Sequence, residues 1–484
     1  MTYEKYRKAL IDSYYDHQLE SLLSGFDPNR RTVIFLPGGM GSQLERTEGP
    51  HPNSPNVFTD IVWMDIGIGP IKFDAKTLEI ESDEKDLQSH VIAAHGPLSF
   101  LNQTPYDELY DRARRRNWNY FVFGFDWRRP VADSALQFKN FILDFRDGVL
   151  EAYGVDPIPN LTIVCHSMGG MVCTDALRDK ELSSLKFNAI LTVATPFYGT
   201  STHQDRYFVG IPGLMNTIYK AATVVRIVAS LVGPYTLMFL PKAVYDRDGS
   251  KLGLSRYPQR SVDEKDDNDP FDPNMMKRWP KAVRDHKQYL IRASKEMDNI
   301  SQPIDANIAP IFFNVRSSRD LNTAVEIYWN DIDGDTIVPG TSPSPLTGLA
   351  GPGDGTVPAW SAWHAYCLKK NRYELQQASD HGTLLEHKEV LDLVQSIVEK
   401  RKLPAAKKAT RSPRPRVASA AEVESVVTDW VQRRVEGESL PRELFEKPVK
   451  RAIMSNLIAG TKLRMVAKSQ KAPGKKKAKK TKKK

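Results

Sequence analysis

The sequence predicts an α/β protein with a mostly parallel, doubly wound sheet, an inserted helical cap and a C-terminal helical and basic extension. Three observations carry this. Short apolar runs ended by turn residues alternate with stretches of helical periodicity between residues 31 and 400. That alternation stops between Gly199 and about Asn307. Beyond Arg401 the composition changes abruptly.

The elements follow in order. Thr32-Val33-Ile34-Phe35-Leu36 is a continuous apolar run ended by Pro37-Gly38-Gly39-Met40-Gly41-Ser42, as a buried strand requires. Asn119 to Gly124 reads as a second strand, and Asp133 to Tyr153 as a helix with Phe138, Phe141, Ile142 and Phe145 at helical spacing. Leu161 to Cys165 is a third strand, Met168 to Leu177 a helix, Ala189 to Ala194 a fourth strand and Ile308 to Val315 a fifth. A helix is expected from Leu384 to Ile397. Residues 1–30 form a polar lead-in, and 200–307 the cap inside a 31–400 catalytic domain. A linker covers 401–421. A small helical segment follows over 422–466, opened by the capping box Ser419-Ala420-Ala421-Glu422, with a further helix from Pro441 to Ala459. A disordered Lys-rich tail, 467–484, ends the chain.

Charge is distributed unevenly. The chain carries +9, but residues 401–484 hold 25 Lys/Arg against 7 Asp/Glu, so the tail is +18 and the body −9. Such a tail fits a solvated appendage, peripheral contact with an anionic membrane, or non-specific contact with nucleic acid; nucleic-acid binding is not expected to be the main function. Three cysteines, Cys165, Cys173 and Cys367, form no disulfide framework and fit a reducing compartment. The first residues hold no apolar stretch of signal-peptide type, and no apolar run reaches about 18 residues, so a cytoplasmic, at most membrane-peripheral, chain is expected. No metal-ligand spacing and no completed phosphate-binding or dinucleotide motif appears, so neither metal nor cofactor is expected.

The chemistry concentrates at Cys165-His166-Ser167-Met168-Gly169-Gly170. A strand, then a serine with Gly169 and Gly170 close behind it, then a helix is the context of a nucleophile elbow, which places the fold among the α/β-hydrolases. The first glycine of Gly-x-Ser-x-Gly is Cys165 here; cysteine is small enough for the turn to survive. The plain alternative is a serine that only caps a helix. A serine nucleophile needs a base, and the base an acid, in the chain order Ser, acid, His. Asp354, in Gly353-Asp354-Gly355-Thr356-Val357-Pro358, is the preferred acid; Asp335, in the near-copy Gly334-Asp335-Thr336-Ile337-Val338-Pro339, is its rival. His381, in Ser379-Asp380-His381-Gly382, stands where the last loop of the sheet delivers a base. His387 is expected in a solvated helical position, and the His166 ring is expected to point away from the site. The backbone N–H of Met168 and one from the Gly38–Gly41 loop would stabilise an oxyanion.

With these segments in order, the chain resembles the lecithin:cholesterol acyltransferase family, including its phospholipid:diacylglycerol acyltransferase branch and bacterial relatives. The resemblance rests on Phe35 to Glu45, Val62-Trp63-Met64-Asp65, Phe125-Asp126-Trp127-Arg128, the Ser167 elbow, Ala194-Thr195-Pro196-Phe197-Tyr198-Gly199-Thr200 and Gly353 to Pro358, spread over residues 30–400. It implies Ser167, Asp354 and His381 as the triad, Met40 and Met168 as oxyanion donors, and Trp63 and Phe197 near substrate. It also implies an apolar cap wall from Gly233 to Pro241. The implied activity is acyl transfer from a lipid acyl ester through an acyl-serine, to a lipid alcohol as an acyltransferase or lipase. Hydrolysis to water, as a carboxylesterase or phospholipase, is the alternative. A reading of another class is a binding protein on the same scaffold with no catalysis.

Overall fold

The computed structural model describes residues 15, 19–47, 58–63, 92–98, 104–211, 220–330, 333–336, 344–377, 379–401, 425 and 465–466. At its centre lies a six-stranded sheet in the order β12-β9-β7-β6-β1-β5. The strands are β1 (Thr32–Leu36), β5 (Asn119–Val122), β6 (Leu161–His166), β7 (Ala189–Val193), β9 (Phe312–Arg316) and β12 (Arg372–Glu374), and all their pairings are parallel. Helices α1 (Asp107–Arg115), α2 (Val131–Tyr153) and α3 (Met168–Ala176) supply crossovers early in the chain.

Both faces of this sheet are buried, and the side-chain alternation of each strand is visible in the two cores. Ile34 and Leu36, with Ile163 and Cys165, point to the face covered by α2 and α3. Val33 and Phe35, with Val164 and Leu191, point to the other face. There Leu109 of α1 meets Leu391 and Val394 of the last helix, Lys388–Val398. Strands buried on both sides read as unbroken apolar runs, which is why they stand out in the sequence.

Several boundaries differ from expectation. The segment expected as a strand from Ile308 opens with a 3-10 turn, Ala309–Ile311, because Pro310 removes a ladder donor; the strand starts at Phe312. The helix expected from Leu384 is split into a 3-10 turn over His381–Glu386 and the α-helix from Lys388. His387 sits at that junction, half-buried rather than solvated.

Two smaller sheets had no counterpart in the sequence reading. β2 (Ser42–Thr47) pairs antiparallel with β3 (Phe58–Trp63) and β4 (Ile92–Pro97). β10 (Asp320–Trp329) and β11 (Leu346–Gly353) pair antiparallel, with β8 (Gln259–Ser261) beside β10. Among the described residues of the 200–307 interval, α4 (Ser201–Val209), α5 (Ala221–Ala229) and α6 (Lys287–Ile300) are the longer helices. Gly233 to Leu240 is buried within it. Of the extension, Ser425 is helical, whereas Met465–Val466 form a short strand parallel to β11 at Gly348–Leu349, not helix. The linker, the remainder of the 422–466 segment and the Lys-rich tail lie outside the described residues.

Candidate active site

The site is built at the carboxyl ends of the parallel strands, where an open α/β sheet leaves its crevice. β6 ends at His166, and Ser167 then takes φ 50° and ψ −125°, a backbone conformation that L-residues adopt only when the surroundings impose it. Its N–H donates to the carbonyl of Val193 at 2.9 Å, and its carbonyl accepts from Gly170 at 3.0 Å. A Cβ on Gly169 would fall 2.4 Å from the carbonyl oxygen of Pro37, and one on Gly170 would fall 1.9 Å from Oγ1 of Thr195. The close approach of strand and helix is therefore made on the C-terminal side of the serine. Cys165 faces the core under α2 and α3, so a glycine there is not needed.

Nε2 of His381 lies 2.9 Å from Oγ of Ser167, and its Nδ1 lies 2.8 Å from Oδ2 of Asp354. The Asp354 carboxylate fixes the tautomer: Nδ1–H donates to Oδ2, leaving the Nε2 lone pair to accept the serine hydroxyl. Oδ1 of Asp354 accepts from the N–H groups of Thr356 (3.0 Å) and Val357 (2.6 Å), which hold the carboxylate in the turn after β11. The N–H of His381 in turn donates to the Asp354 carbonyl at 3.0 Å. Asp335, the rival acid, is on the surface and pairs with Arg284.

The loop after β1 packs onto the elbow. A Cβ on Gly38 would fall 3.1 Å from Cβ of Ser167, and one on Gly39 would fall 3.1 Å from the sulfur of Met168. Met40 has φ 62°, and its carbonyl accepts from Nε1 of Trp63 at 3.0 Å. Met168 is the first residue of α3, where backbone N–H groups lack intrahelical acceptors. Trp63 is thus placed as an anchor of the Met40 loop, with its ring edge-on to Trp127 at 5.1 Å. Phe197 is placed in the core, edge-on to His364 at 5.0 Å. No described contact brings either ring to Ser167.

Tyr106, which no sequence motif marks, and His166 join the parts. The His166 ring packs against that of His381, with centroids 4.9 Å apart. Its Nε2 lies 3.0 Å from the His381 carbonyl, and its Nδ1 lies 3.3 Å from the hydroxyl of Tyr106. Burial and the nearby His381 hold His166 well below the usual histidine range, so the ring is neutral. Nε2–H then donates to the carbonyl, and Nδ1 accepts from Tyr106. The same Tyr106 oxygen accepts from the Gly38 N–H at 3.0 Å. One chain of bonds runs from the Met40 loop to the loop of His381. Tyr106 opens a helix 61 residues before Ser167, and no local pattern marks it.

Part of the 200–307 interval packs beside this arrangement, with Leu237 next to Gly39 and Gly233 next to Met168. Ser167 is 4% exposed. Residues 237–240 run beside 198–200: Thr200 N–H donates to the Leu237 carbonyl (2.8 Å) and Leu240 N–H to the Tyr198 carbonyl (3.0 Å). Gly199, at φ +80°, allows this seam, since a Cβ there would fall 1.6 Å from the Met238 carbonyl oxygen. The Phe125–Arg128 segment braces the same wall. Nε and Nη2 of Arg128 grip Asp126 at 2.9 and 2.8 Å, both groups buried, and the Arg128 carbonyl accepts from Gly233 at 3.0 Å. Among the described residues no group of three His, Cys, Asp or Glu could hold a metal ion.

Residues 87–232 match the model of the PGAP1-like alpha/beta domain. The chain is similar to a structure of the Tle4–Tli4 complex, with a TM-score of 0.51 and 14% identity over 78% of this chain and 100% of that one. The fold is that of the α/β-hydrolases. Mature lipase BlEst2 of Bacillus licheniformis is similar at a TM-score of 0.36 and 10% identity, covering 77% of this chain and 93% of that one. The lin2722 product of Listeria innocua is similar at a TM-score of 0.30 and 11% identity, covering 78% and 97%. No match is found among curated protein sequences. At 14% identity the first likeness speaks for the fold, and the chemistry has to be argued from the site.

Proposed function

We propose that the chain is a serine acyl-ester enzyme, with lipid acyl esters as substrates and an acyl group carried on Ser167. The observation that carries this is the unbroken chain Ser167 Oγ, His381, Asp354 at 2.9 and 2.8 Å, with the serine held at positive φ. His381 takes the serine proton as Oγ attacks the ester carbon. Asp354 stabilises the imidazolium, and the N–H groups of Met168 and Met40 receive the oxyanion. The C–O bond then breaks, the acyl carbon stays on Oγ, and the leaving alcohol takes the proton from His381. A second acceptor, water or an alcohol, reverses these steps.

We favour transfer to a lipid alcohol, as in the lecithin:cholesterol acyltransferase family, over hydrolysis, because Ser167 is 4% exposed and a closed site limits competing water. The basic extension would hold the enzyme at an anionic lipid surface.

A fluorophosphonate probe tests the nucleophile. The wild type should be labelled and Ser167→Ala should not; equal labelling removes the assignment. Product analysis of a lipid ester, with and without added alcohol, then separates transfer from hydrolysis.

A further inference from the structure

Helix α4 crosses the site from one side to the other. Before its first turn, Oγ1 of Thr200 donates at 2.5 Å to the carbonyl of Thr356, two residues past Asp354. Toward its end, Nη1 of Arg206 lies 3.2 Å from the sulfur of Met40. His203 stands midway, three residues from each. His203 therefore lies on the stretch of chain that links the acid turn to the Met40 loop.

That ring is 5% exposed, and its Nδ1 is buried with no hydrogen-bond partner among the described residues. Burial, then the nearby Arg206 and His381, hold it well below the usual histidine range, so it is neutral. A buried polar nitrogen left unbonded has given up water and gained nothing, and such groups call for an explanation. The mechanism above makes no use of it.

We propose that His203 is a substrate-binding residue that hydrogen-bonds through Nδ1 to a free hydroxyl on the alcohol half of the ester, a glycerol-type alcohol. This rests on Ser167 as the nucleophile. The alcohol half is identified by position: the carbonyl oxygen turns toward Met168 and Met40, whereas the leaving oxygen must lie next to Nε2 of His381, which protonates it. His203 lies three residues from Thr200, which bonds the acid turn that holds His381, and it is near enough to His381 for the two charges to interact. The hydroxyl is identified by chemistry. In a neutral imidazole one nitrogen donates and the other accepts. Ester oxygens only accept, but a hydroxyl does both, so it satisfies Nδ1 in either tautomer. The same contact seats an acceptor alcohol in the reverse step.

The test uses full-length enzyme and three esters of one acyl chain, with ethanol, ethylene glycol or glycerol as the alcohol half. The wild type should prefer the two hydroxylated esters over the ethyl ester by tenfold or more in kcat/KM. His203→Phe, which keeps the ring without its nitrogens, should bring that ratio to near one. His203→Asn, which keeps a polar atom close to the position of Nδ1, should retain part of it. Fluorophosphonate labelling of each variant reports on the fold and on Ser167 separately. If the wild type is not labelled, the nucleophile is wrong. If the wild type is labelled but shows no hydroxyl preference, or if labelled His203→Phe or His203→Asn keeps the full preference, the proposal for His203 is overturned.

Discussion

Nε2 of His166 and the backbone carbonyl of His381 meet at 3.0 Å, so the residue beside the proposed nucleophile holds the loop that carries the proposed base. His166→Phe fills the same space without either bond. A misplacement of about 1 Å costs on the order of 10²-fold in rate. The expected outcome is a fall in kcat of about 10²-fold with KM little changed, read from steady-state ester cleavage. Tyr106→Phe, which removes only the hydroxyl, should fall less. Unchanged kcat in His166→Phe would show that the bond has no positioning role.

Asp354 and Asp335 sit in near-identical sequence but in opposite environments. Asp354→Asn is expected to lower kcat by about 10⁴-fold, because the amide cannot hold the imidazole in the required tautomer or balance its charge. Asp335→Asn loses one exposed pair with Arg284 and should keep activity within about twofold. Rates for the two variants with one ester decide the acid; a reversed order would transfer the role to Asp335.

Gly170→Ala places a methyl where Oγ1 of Thr195 already lies, 1.9 Å away. Thr195 is β-branched and stiff, so the clash should destabilise by about 1–3 kcal/mol. Oγ1 of Thr195 has no hydrogen-bond partner among the described residues. The double variant Gly170→Ala, Thr195→Ala should therefore regain most of the lost stability. Thermal melts of the three proteins measure this, and a double variant no better than Gly170→Ala would place the clash elsewhere.

Glu296 ties α6 to the start of α2. Its Oε2 accepts from the Val131 N–H at 3.0 Å, and Oε1 faces Nε of Arg292 at 3.1 Å. Burial pushes its pKa up to about 7 from 4.5. The folded state then binds this proton more tightly than the unfolded chain, so the contribution of Glu296 to stability is fully present below pH 4.5. It falls as pH rises from 4.5 to 7, by at most about 3 kcal/mol. Glu296→Gln keeps an acceptor and removes the titration. Its stability relative to wild type, from urea unfolding, should rise by about 2–3 kcal/mol between pH 5 and pH 8; a constant difference would refute the account.

Residues 467–484 contain ten Lys and no Asp or Glu. Each basic residue near an anionic surface contributes about 1 kcal/mol, and salt screens it. The full chain should sediment with phosphatidylserine-containing vesicles at low salt and release at high salt, whereas a chain ending at residue 466 should bind far less. Equal binding by both would separate the tail from any lipid contact.

The central sheet was legible because its strands are buried on both faces and read as apolar runs. The hairpin of β10 and β11 was not. β11 holds three glycines and a proline, Leu-Thr-Gly-Leu-Ala-Gly-Pro-Gly, which mark loops in sequence, and β2, Ser-Gln-Leu-Glu-Arg-Thr, is largely polar. Both are held by pairing with distant strands, which no local window contains. The residues of the proposed triad were legible because each stands in a short turn motif in the required chain order. The Tyr106–His166 connection was invisible because it joins two ordinary side chains across 60 residues.

The seam at Gly199 gives the inserted cap a root as well as a span. Exchanging the whole 200–307 interval for that of another protein would strip Gly199 and Tyr198 of the backbone they fit against. An exchange that spares residues 233–241 would leave that fit whole. Selectivity can therefore diverge in the outer span while the root is inherited with the catalytic body, and a chimera that respects this division is the one expected to fold.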